Sequence, residues 1–294
     1  METCLAIDIG GTKLAAGLVD IQGRLSSDRS VPTPLSDDPE ELFGEILGLT
    51  TPILGQADPH PAVCGVGCGG PMEPGGEAVS PLNIKGWSGF PLRRRLTESL
   101  GLPTFVDNDA KALALGEGWR GAAVGFSSFM AMVVSTGVGG GIVLNSRLLS
   151  GESGNAGHVG HVIVVPGGRR CPCGAKGCLE AEASGRAIAA ITGHPASRAG
   201  RLMVERTGRL VGQAVACVAN LLDLRLAVVG GSVALGFGEG FFAAAQREVD
   251  ALARLEFSLG TRVIPAGLGP AGPLVGAGAI GWAGAGHQAL PALP

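Results

Sequence analysis

Three cysteines and a histidine lie close together in a glycine-rich stretch of this 294-residue chain, at a spacing that suits a metal ion. The thiols are Cys171, Cys173 and Cys178, and His161 stands ten residues before the first. Three thiols and an imidazole form a complete ligand set for tetrahedral zinc. Cys171 and Cys173 are too close for an easy disulfide, and cysteines without a function usually lie in buried apolar surroundings. The stretch therefore predicts a zinc site.

The predicted zinc is structural rather than catalytic. Four protein ligands close the tetrahedral shell, so no position stays open for a water or a substrate. The metal would hold a glycine-rich loop in shape and could direct His161, Glu180 and His158 into a pocket. A role for His158 as an additional zinc ligand remains open as an alternative.

A second candidate for chemistry is the run Asp107-Asn108-Asp109, between an apolar segment and a helical pattern. A carboxylate at a strand-to-helix junction is held by rigid elements and can face a cleft, which makes this run the catalytic candidate. The alternative is that one of these residues caps the helix, a role that Asp and Asn fill well. That alternative applies best to Asp107.

The elements that would position these groups include two glycine-rich hairpins. Residues 4–20 read as strand, turn and strand, with the turn at Gly10-Gly11-Thr12-Lys13. This turn lacks the spacing of a Walker A loop, but adjacent glycines can direct backbone amides at a phosphate. Asp8 is placed to approach a phosphate-bound metal ion through water. A plain hairpin without a ligand is the alternative.

The second hairpin, residues 129–144, repeats this pattern about half a chain later, with Thr136 and Gly137 in its turn. Internal repetition is informative about a fold. Two similar α/β halves that each present a glycine hairpin can hold the phosphates of a nucleotide from both sides. A third strand, residues 226–229, runs into Gly230-Gly231.

Other segments complete the expected organisation. Hydrophobic spacing predicts helices over residues 37–54 and 201–222, and a helix-compatible segment over 266–286. Residues 62–72 predict a buried strand that runs into a Gly-Pro loop. Asn83 can both donate and accept hydrogen bonds, as the binding of a hydroxyl group requires. Trp87 is interpreted as a core residue, with stacking against a ligand as the alternative.

Composition excludes several classes of protein. The chain is 46% hydrophobic and 16% charged with a net charge of −3, so nothing in its charge favours nucleic acid. The N-terminal residues show no basic segment or cleavage site of a signal peptide. The longest uncharged run is interrupted by Ser, Thr and Gly and predicts strands rather than a membrane span. We therefore expect a cytoplasmic protein that binds neither membrane nor nucleic acid.

Taken with their spacing, these motifs resemble those of the ROK proteins (repressors, open reading frames and sugar kinases). The zinc signature carries the resemblance most specifically, through His161, Cys171, Cys173, Cys178 and Glu180. The two hairpins resemble the phosphate loops D-x-G-G-T-K and [GS]-T-G-x-G-G-G of the actin/hexokinase-like ATPase fold, and Gly230-Gly231 resembles its adenosine motif.

The resemblance implies an α/β protein with the actin/hexokinase-like (ribonuclease H-like) ATPase fold, made of two duplicated α/β domains around a cleft. Residues 1–117 would form a small N-terminal domain, to which the C-terminal helix is a candidate addition. Residues 118–294 would form a larger domain with the zinc loop and the adenosine motif. The family is commonly dimeric or tetrameric, so a homo-oligomer is expected.

The implied activity is ATP-dependent transfer of the γ-phosphoryl group to the 6-hydroxyl of a hexose, with glucose as the first expectation and N-acetylmannosamine as the alternative. Asp109 would be the base, and Mg²⁺ near Asp8 would neutralise the phosphates. Further site residues follow from the same resemblance. Those expected to bind the sugar are Asn83, Asn108, Asp109, His158, His161 and Glu180. Those expected to bind the nucleotide are Asp8, Gly10, Gly11, Thr12, Lys13, Thr136, Gly137, Gly230 and Gly231.

One departure from the family pattern bears on the substrate. ROK sugar kinases usually have Gly-Glu-x-Gly-His where this chain has Gly157-His158-Val159-Gly160-His161. A neutral imidazole supplies one donor and one acceptor in place of a charged carboxylate. We therefore expect an altered sugar preference, or else a sugar sensor without catalysis. The repressor alternative is disfavoured because the first strand begins by Cys4, before any helix-turn-helix segment.

Overall fold

The computed structural model describes residues 2–287 of the chain. Contacts divide these residues into two compact units, which are described separately. Unit 1 comprises the chain up to Val124, Leu148–Ala156, and the chain from Leu268 onward. Unit 2 comprises Gly125–Arg147 and Gly157–Gly267.

The strands and helices follow one another in an alternating α/β order. The strands are β1 (Thr3–Ile9), β2 (Lys13–Asp20), β3 (Leu25–Pro32), β4 (Val63–Cys68), β5 (Thr104–Asn108), β6 (Phe129–Val134), β7 (Val138–Leu144), β8 (Arg147–Leu148), β9 (Leu226–Gly230) and β10 (Arg262–Pro265). The α-helices are α1 (Pro39–Gln56), α2 (Leu92–Leu100), α3 (Asp109–Arg120), α4 (Leu179–Ala183), α5 (Gly185–Thr192), α6 (Arg201–Leu222), α7 (Ser232–Phe237), α8 (Glu239–Leu252) and α9 (Gly272–Gly284).

Unit 1 is built on a five-stranded sheet with the order β3-β2-β1-β4-β5. The first three strands are antiparallel, whereas β4 and β5 run parallel to β1. Strand β4 is buried along its whole length, as its uninterrupted run of apolar and glycine residues predicts. Helix α1 begins after Asp38, whose side chain caps Glu40 N, and it buries Phe43 and Ile46 against the sheet.

Helix α9 completes unit 1 and packs closely because its inner face is rich in glycine. A side chain at Gly276 would collide with the backbone of Ala112 on α3, and one at Gly281 would collide with Cys4 on β1. The buried Trp282 donates its indole N–H to Val19 O at 3.2 Å. The helix-compatible segment predicted over residues 266–286 is therefore this core helix.

The expectation for Trp87 is settled by packing in unit 1. Trp87 is only 2% exposed, lies stacked on Phe90 with ring centroids 4.3 Å apart, and is a core residue as interpreted. Arg95 of α2 packs over the same aromatic cluster, with its guanidinium 5.3 Å from the centre of the Phe90 ring. Its guanidinium lies 4.2 Å from the centre of the Phe43 ring and forms an ion pair with Glu40.

Unit 2 is built on a second sheet with the order β10-β9-β6-β7-β8. Strands β6 and β7 form an antiparallel hairpin, and β9 and β10 extend the sheet in parallel. Helix α6 has the predicted bounds, and Gly208 and Gly212 let it approach the backbone of α8. Among residues 2–287, no helix is both long enough and apolar enough to cross a membrane.

Candidate active site

The acidic half of the candidate site lies at one edge of the sheet in unit 1. Asp8 on β1 pairs in register with Gly67 on β4, which pairs with Asp107 on β5. Asp109 follows as the first residue of α3. Because parallel strands bring their carboxyl ends to the same edge, these residues gather there although a hundred residues separate Asp8 from Asp109.

The carboxyl groups of Asp8 and Asp109 interact electrostatically. The pKa of Asp8 is raised from 3.8 to about 7, first by burial and then by the negative charge of Asp109, and Lys13 acts in the opposite direction. The pKa of the neighbouring Cys68 thiol is also raised, first by burial and then by the same two carboxylates. A poorly solvated acid beside a second carboxylate is typical of sites that manage protons or metal ions.

The two residues before Asp109 have different contacts at the strand-to-helix junction. Asn108, not Asp107, caps α3: its Oδ1 accepts from Ala110 N at 3.0 Å, so the capping role considered for Asp107 is wrong. This leaves the Nδ2 of Asn108 as its donor for a ligand. Asp107, near the end of β5, instead lies 3.3 Å from the buried ammonium of Lys111 in the first turn of α3.

The first glycine turn lies beside Asn83. The turn is closed by a hydrogen bond from Gly10 N to Lys13 O at 3.0 Å, and Thr33 Oγ1 donates to Gly10 O at 2.7 Å. A Cβ atom at Gly11 would stand 2.6 Å from that of Asn83. The structure therefore brings the predicted sugar-binding Asn83 against the predicted phosphate turn within unit 1.

The second glycine turn, between β6 and β7 of unit 2, is held by hydrogen bonds on both sides. Ser135 N donates to Gly137 O at 2.9 Å, and Val138 N donates to Glu180 Oε2 at 2.9 Å. Within the described part of the chain, Thr136 N and Gly137 N make no hydrogen bond to the protein. These two donors are the ones that the turn can offer to a phosphate.

A cavity of about 630 Å³ opens beside this turn in unit 2, a size in the range of small-molecule sites. Gly231, with φ of 95°, joins β9 to α7 at its edge, and a side chain there would collide with Val134 O. The cavity is lined by residues of the turn, of α5, α6 and α7, and of the loop before α6. They are Thr136, Gly185, Arg186, Ala189, Pro195, Ala196, Ser197, Ala199, Val204, Ser232, Val233, Gly236 and Phe237.

The four predicted zinc ligands converge in unit 2. One ligand atom from each of His161, Cys171, Cys173 and Cys178 lies within 4.8 Å of all the others. Cys173 Sγ stands 3.7 Å from Cys178 Sγ, and Cys171 Sγ stands 3.7 Å from His161 Nδ1. In a tetrahedral zinc site with Zn–S bonds of about 2.3 Å, sulfurs are separated by about 3.8 Å. The cluster therefore fits a tetrahedral metal ion.

His158 lies near this cluster but does not belong to it. The two imidazole rings are nearly parallel, with centroids 6.2 Å apart, and His158 is not among the converging ligand atoms. The coordination through Nδ1 that this geometry suggests for His161 would leave its Nε2 for another partner.

The loop that carries the four candidate ligands, residues 161–178, is called the metal loop below. It is connected to the rest of unit 2 through helix α4, which begins directly after Cys178. Glu182 of this helix is 2% exposed, accepts from Arg169 N at 2.7 Å, and pairs with Arg206 on α6 at 2.5 Å. Glu180 of the same helix reaches the second glycine turn, as described above. A short helix thus links the loop to that turn.

Two residues of the site were missed by sequence reasoning. Arg186 lines the cavity, and the buried Lys111 donates to Gly154 O at 2.7 Å. The only local signal for Arg186 was its position after Ser184-Gly185, which marks a helix start. Lys111 gave none, because its partner is 43 residues away.

A repeated sheet in which each copy presents a glycine hairpin is the architecture of the actin/hexokinase-like ATPases. A family model described as "ROK family" matches residues 4–282, and the chain belongs to this family. An N-acetylmannosamine kinase of Escherichia fergusonii is 38% identical over 257 residues, which cover 82% of this chain and 86% of that protein.

Solved structures agree with the predicted fold. A ROK family glucokinase from Streptomyces griseus, in complex with glucose and AMPPNP, is 31% identical with a TM-score of 0.83, covering 95% of this chain and 99% of that one. A ROK hexokinase from Thermus thermophilus is 33% identical with a TM-score of 0.81, covering 97% and 99%. The actin/hexokinase-like fold expected from the sequence is thereby confirmed.

Proposed function

We propose that this chain is an ATP-dependent sugar kinase that phosphorylates the primary hydroxyl of a hexose. The observation that carries the proposal is the placement of Asp109 beside Asp8 and the first glycine turn, at the carboxyl edge of the sheet in unit 1. A base that accepts the hydroxyl proton and a group suited to a metal-bound phosphate are the parts that phosphoryl transfer requires.

Asp109 is the base in this proposal. Its carboxylate would accept the proton of the sugar hydroxyl as the oxygen attacks the γ-phosphorus, and would hold that oxygen in line. Asp8 would face the Mg²⁺ that accompanies the nucleotide, and that ion would supply charge neutralisation when bound. Asn83 and the Nδ2 of Asn108 are placed in the same unit to bind sugar hydroxyls.

Unit 2 would supply the nucleotide-binding groups of its own glycine turn and further sugar-binding side chains. Thr136 N and Gly137 N are assigned to a phosphate, and the cavity beside Gly231 is assigned to the nucleoside. His158, His161 and Glu180 are assigned to the sugar. Zinc at the Cys/His cluster would be structural, because the four protein ligands leave no open position.

The relatives change the expected order of substrates. Sequence reasoning placed glucose first, but the N-acetylmannosamine kinases of Escherichia fergusonii and Shigella flexneri are 38% identical to this chain, against 31% for the Streptomyces griseus glucokinase. His158 is consistent with this order, since an imidazole N–H can donate to the carbonyl of an acetamido group. We therefore place N-acetylmannosamine first and glucose second.

An ADP-release assay with ATP, Mg²⁺ and a sugar panel tests the proposal. The panel holds N-acetylmannosamine, glucose, mannose and N-acetylglucosamine, and product mass confirms monophosphorylation. We expect the highest kcat/KM with N-acetylmannosamine. Higher kcat/KM with glucose would restore the original order. Binding without turnover of any of the four sugars would overturn the kinase and favour a sugar sensor. A parallel Asp109→Asn preparation controls for contaminating kinases.

A further inference from the structure

Arg186 stands directly against the second glycine turn. It is the second residue of α5, and its backbone N–H donates to Thr136 O at 3.3 Å, while Gly185 N donates to Ser135 O at 2.7 Å. Its side chain returns to the same turn: Nη2 lies 4.0 Å from the position of a Cβ atom on Gly137. Arg186 therefore presents its guanidinium beside the two turn amides that bind no protein group.

The start of α5 cannot itself bind an anion. Its first two N–H groups are used by the turn carbonyls, and Ala187 N is used by Ser184 Oγ at 3.1 Å. The donors that a helix terminus usually offers are thus consumed. Any positive contribution from α5 must come from the side chain of Arg186.

That side chain has no charged partner of its own. Among residues 2–287, Arg186 forms no ion pair within 4.0 Å and no side-chain hydrogen bond. The Oε2 atom of Glu180 lies 2.8 Å from the same point at Gly137 and accepts from Val138 N. Arg186 also lines the 630 Å³ cavity, together with Thr136, Ser232 and Phe237. An unpaired guanidinium at the mouth of such a cavity suits an anionic group of its ligand.

We propose that Arg186 is a nucleotide-binding residue that contacts a phosphate group of the molecule in this cavity. The inference builds on the proposed function, which supplies a nucleoside triphosphate as the ligand. Two backbone N–H groups at Thr136 and Gly137 offer only partial charges to a multiply charged phosphate chain. The planar fork of Arg186 adds a full positive charge and two parallel donors, and such charge-assisted bonds are about twice as strong as neutral ones.

Equilibrium binding of ATP, ADP and adenosine, measured by calorimetry without sugar, tests the assignment. Arg186→Ala is expected to raise the Kd of ATP and ADP by about tenfold or more and to leave the Kd of adenosine within about twofold. Arg186→Lys keeps the positive charge but loses the two parallel donors, so its Kd for ATP and ADP should lie between those of the unmodified protein and Arg186→Ala. The matched control is Arg201→Ala, an arginine in the same unit with a side chain 88% exposed, which should change none of the three.

The outcomes separate this inference from the proposed kinase. Equal weakening of ATP and adenosine, unchanged ATP affinity, or failure of the unmodified protein to bind ATP and ADP would each overturn the role of Arg186. If the protein phosphorylates a sugar but its ATP affinity does not depend on Arg186, the proposed kinase activity is supported and the role of Arg186 is refuted. Binding of ATP that depends on Arg186, without turnover of any sugar, would support the phosphate contact and refute the kinase. Unchanged melting temperatures of the variants confirm that they are folded.

Discussion

The two sheets have the same arrangement of strands but different groups at the equivalent edge. In each, a glycine hairpin is extended by a third strand on one side and by two parallel strands on the other. The first sheet places two carboxylates, Asp8 and Asp109, where its strands end. The second places Ser135, Gly230 and Gly231 at the corresponding ends, with hydroxyls and backbone there in place of acids.

This difference suggests that the two similar units have different roles. Two neighbouring acids, of which Asp8 is poorly solvated, suit proton and metal chemistry, whereas backbone amides, hydroxyls and a guanidinium suit the binding of an anion. In the proposed kinase, changes in unit 1 should therefore lower the rate of chemistry, and changes in unit 2 should lower affinity or stability.

The largest expected effect tests the proposed role of the acids of unit 1 in the chemical step. Asp109→Asn should lower kcat by about 10²–10⁴-fold, because a positioned general base contributes about that much, while the Kd of ATP stays within about twofold. The ADP-release assay and calorimetry give the two numbers. Asp107→Asn, a change of the same kind two residues earlier, should lower kcat by less than about tenfold. Equal losses in both variants would show that Asp109 has no special role.

The second effect concerns the metal loop, which belongs to the binding half. Cys171→Ser should remove zinc that is otherwise bound at about one ion per chain, and should lower Tm by on the order of 10 °C, since loss of a structural metal costs several kcal/mol. Mass spectrometry of metal content and calorimetry report the two changes. Cys217→Ser, at an exposed free cysteine on α6, should change neither. Full zinc content in Cys171→Ser would contradict the ligand set.

The smallest effect is a dependence of stability on pH, which arises from Asp8 in unit 1. The folded protein holds the pKa of Asp8 at about 7, above its ordinary value of 3.8, so the folded state keeps this proton over a range where the unfolded chain has lost it. The contribution of Asp8 to stability is therefore full below about pH 4 and falls as the pH rises towards 7, by at most about 1.4 kcal/mol per pH unit.

Denaturant unfolding of the ligand-free protein between pH 4 and 8 checks this dependence. Asp8→Asn should remove that loss of stability, so the difference between the two proteins grows with pH up to about 7. Asp109→Asn should shift the wild-type dependence to lower pH, because it removes the second cause of the raised pKa of Asp8. Parallel pH profiles for Asp8→Asn and the unmodified protein would refute the assignment.

Local patterns were enough to predict the hairpins and the convergence of His161 with the three cysteines. Paired glycines between apolar runs specify turns at Gly10 and Gly137 through neighbouring residues alone, and the cysteine spacing brings together side chains that could hold a metal ion. The juxtaposition of Asp8 and Asp109 depends instead on the registers of three parallel strands, which spacing along the chain does not reveal. It was inferred from family resemblance, and the strand register now gives it a physical basis.

Other features needed long-range contacts that no local pattern encodes. The capping of α3 by Asn108 rather than Asp107 depends on where β5 ends, a boundary that sequence patterns locate poorly. Arg186 gains its place only because α5 packs on the second turn. Residues 148–156 join unit 1 through contacts such as that between Asn155 and Met72, which are 83 residues apart in the chain.

Helix α9 has a consequence for synthesis of the protein. It packs on β1, β4 and α3 of unit 1, yet it is translated more than 260 residues after β1 begins. The half of the molecule whose first strand leaves the ribosome earliest is therefore the half whose core is closed last. Until then the apolar surfaces of β1 and β4 lack their covering helix, and a nascent chain in this state is where chaperones would be expected to bind.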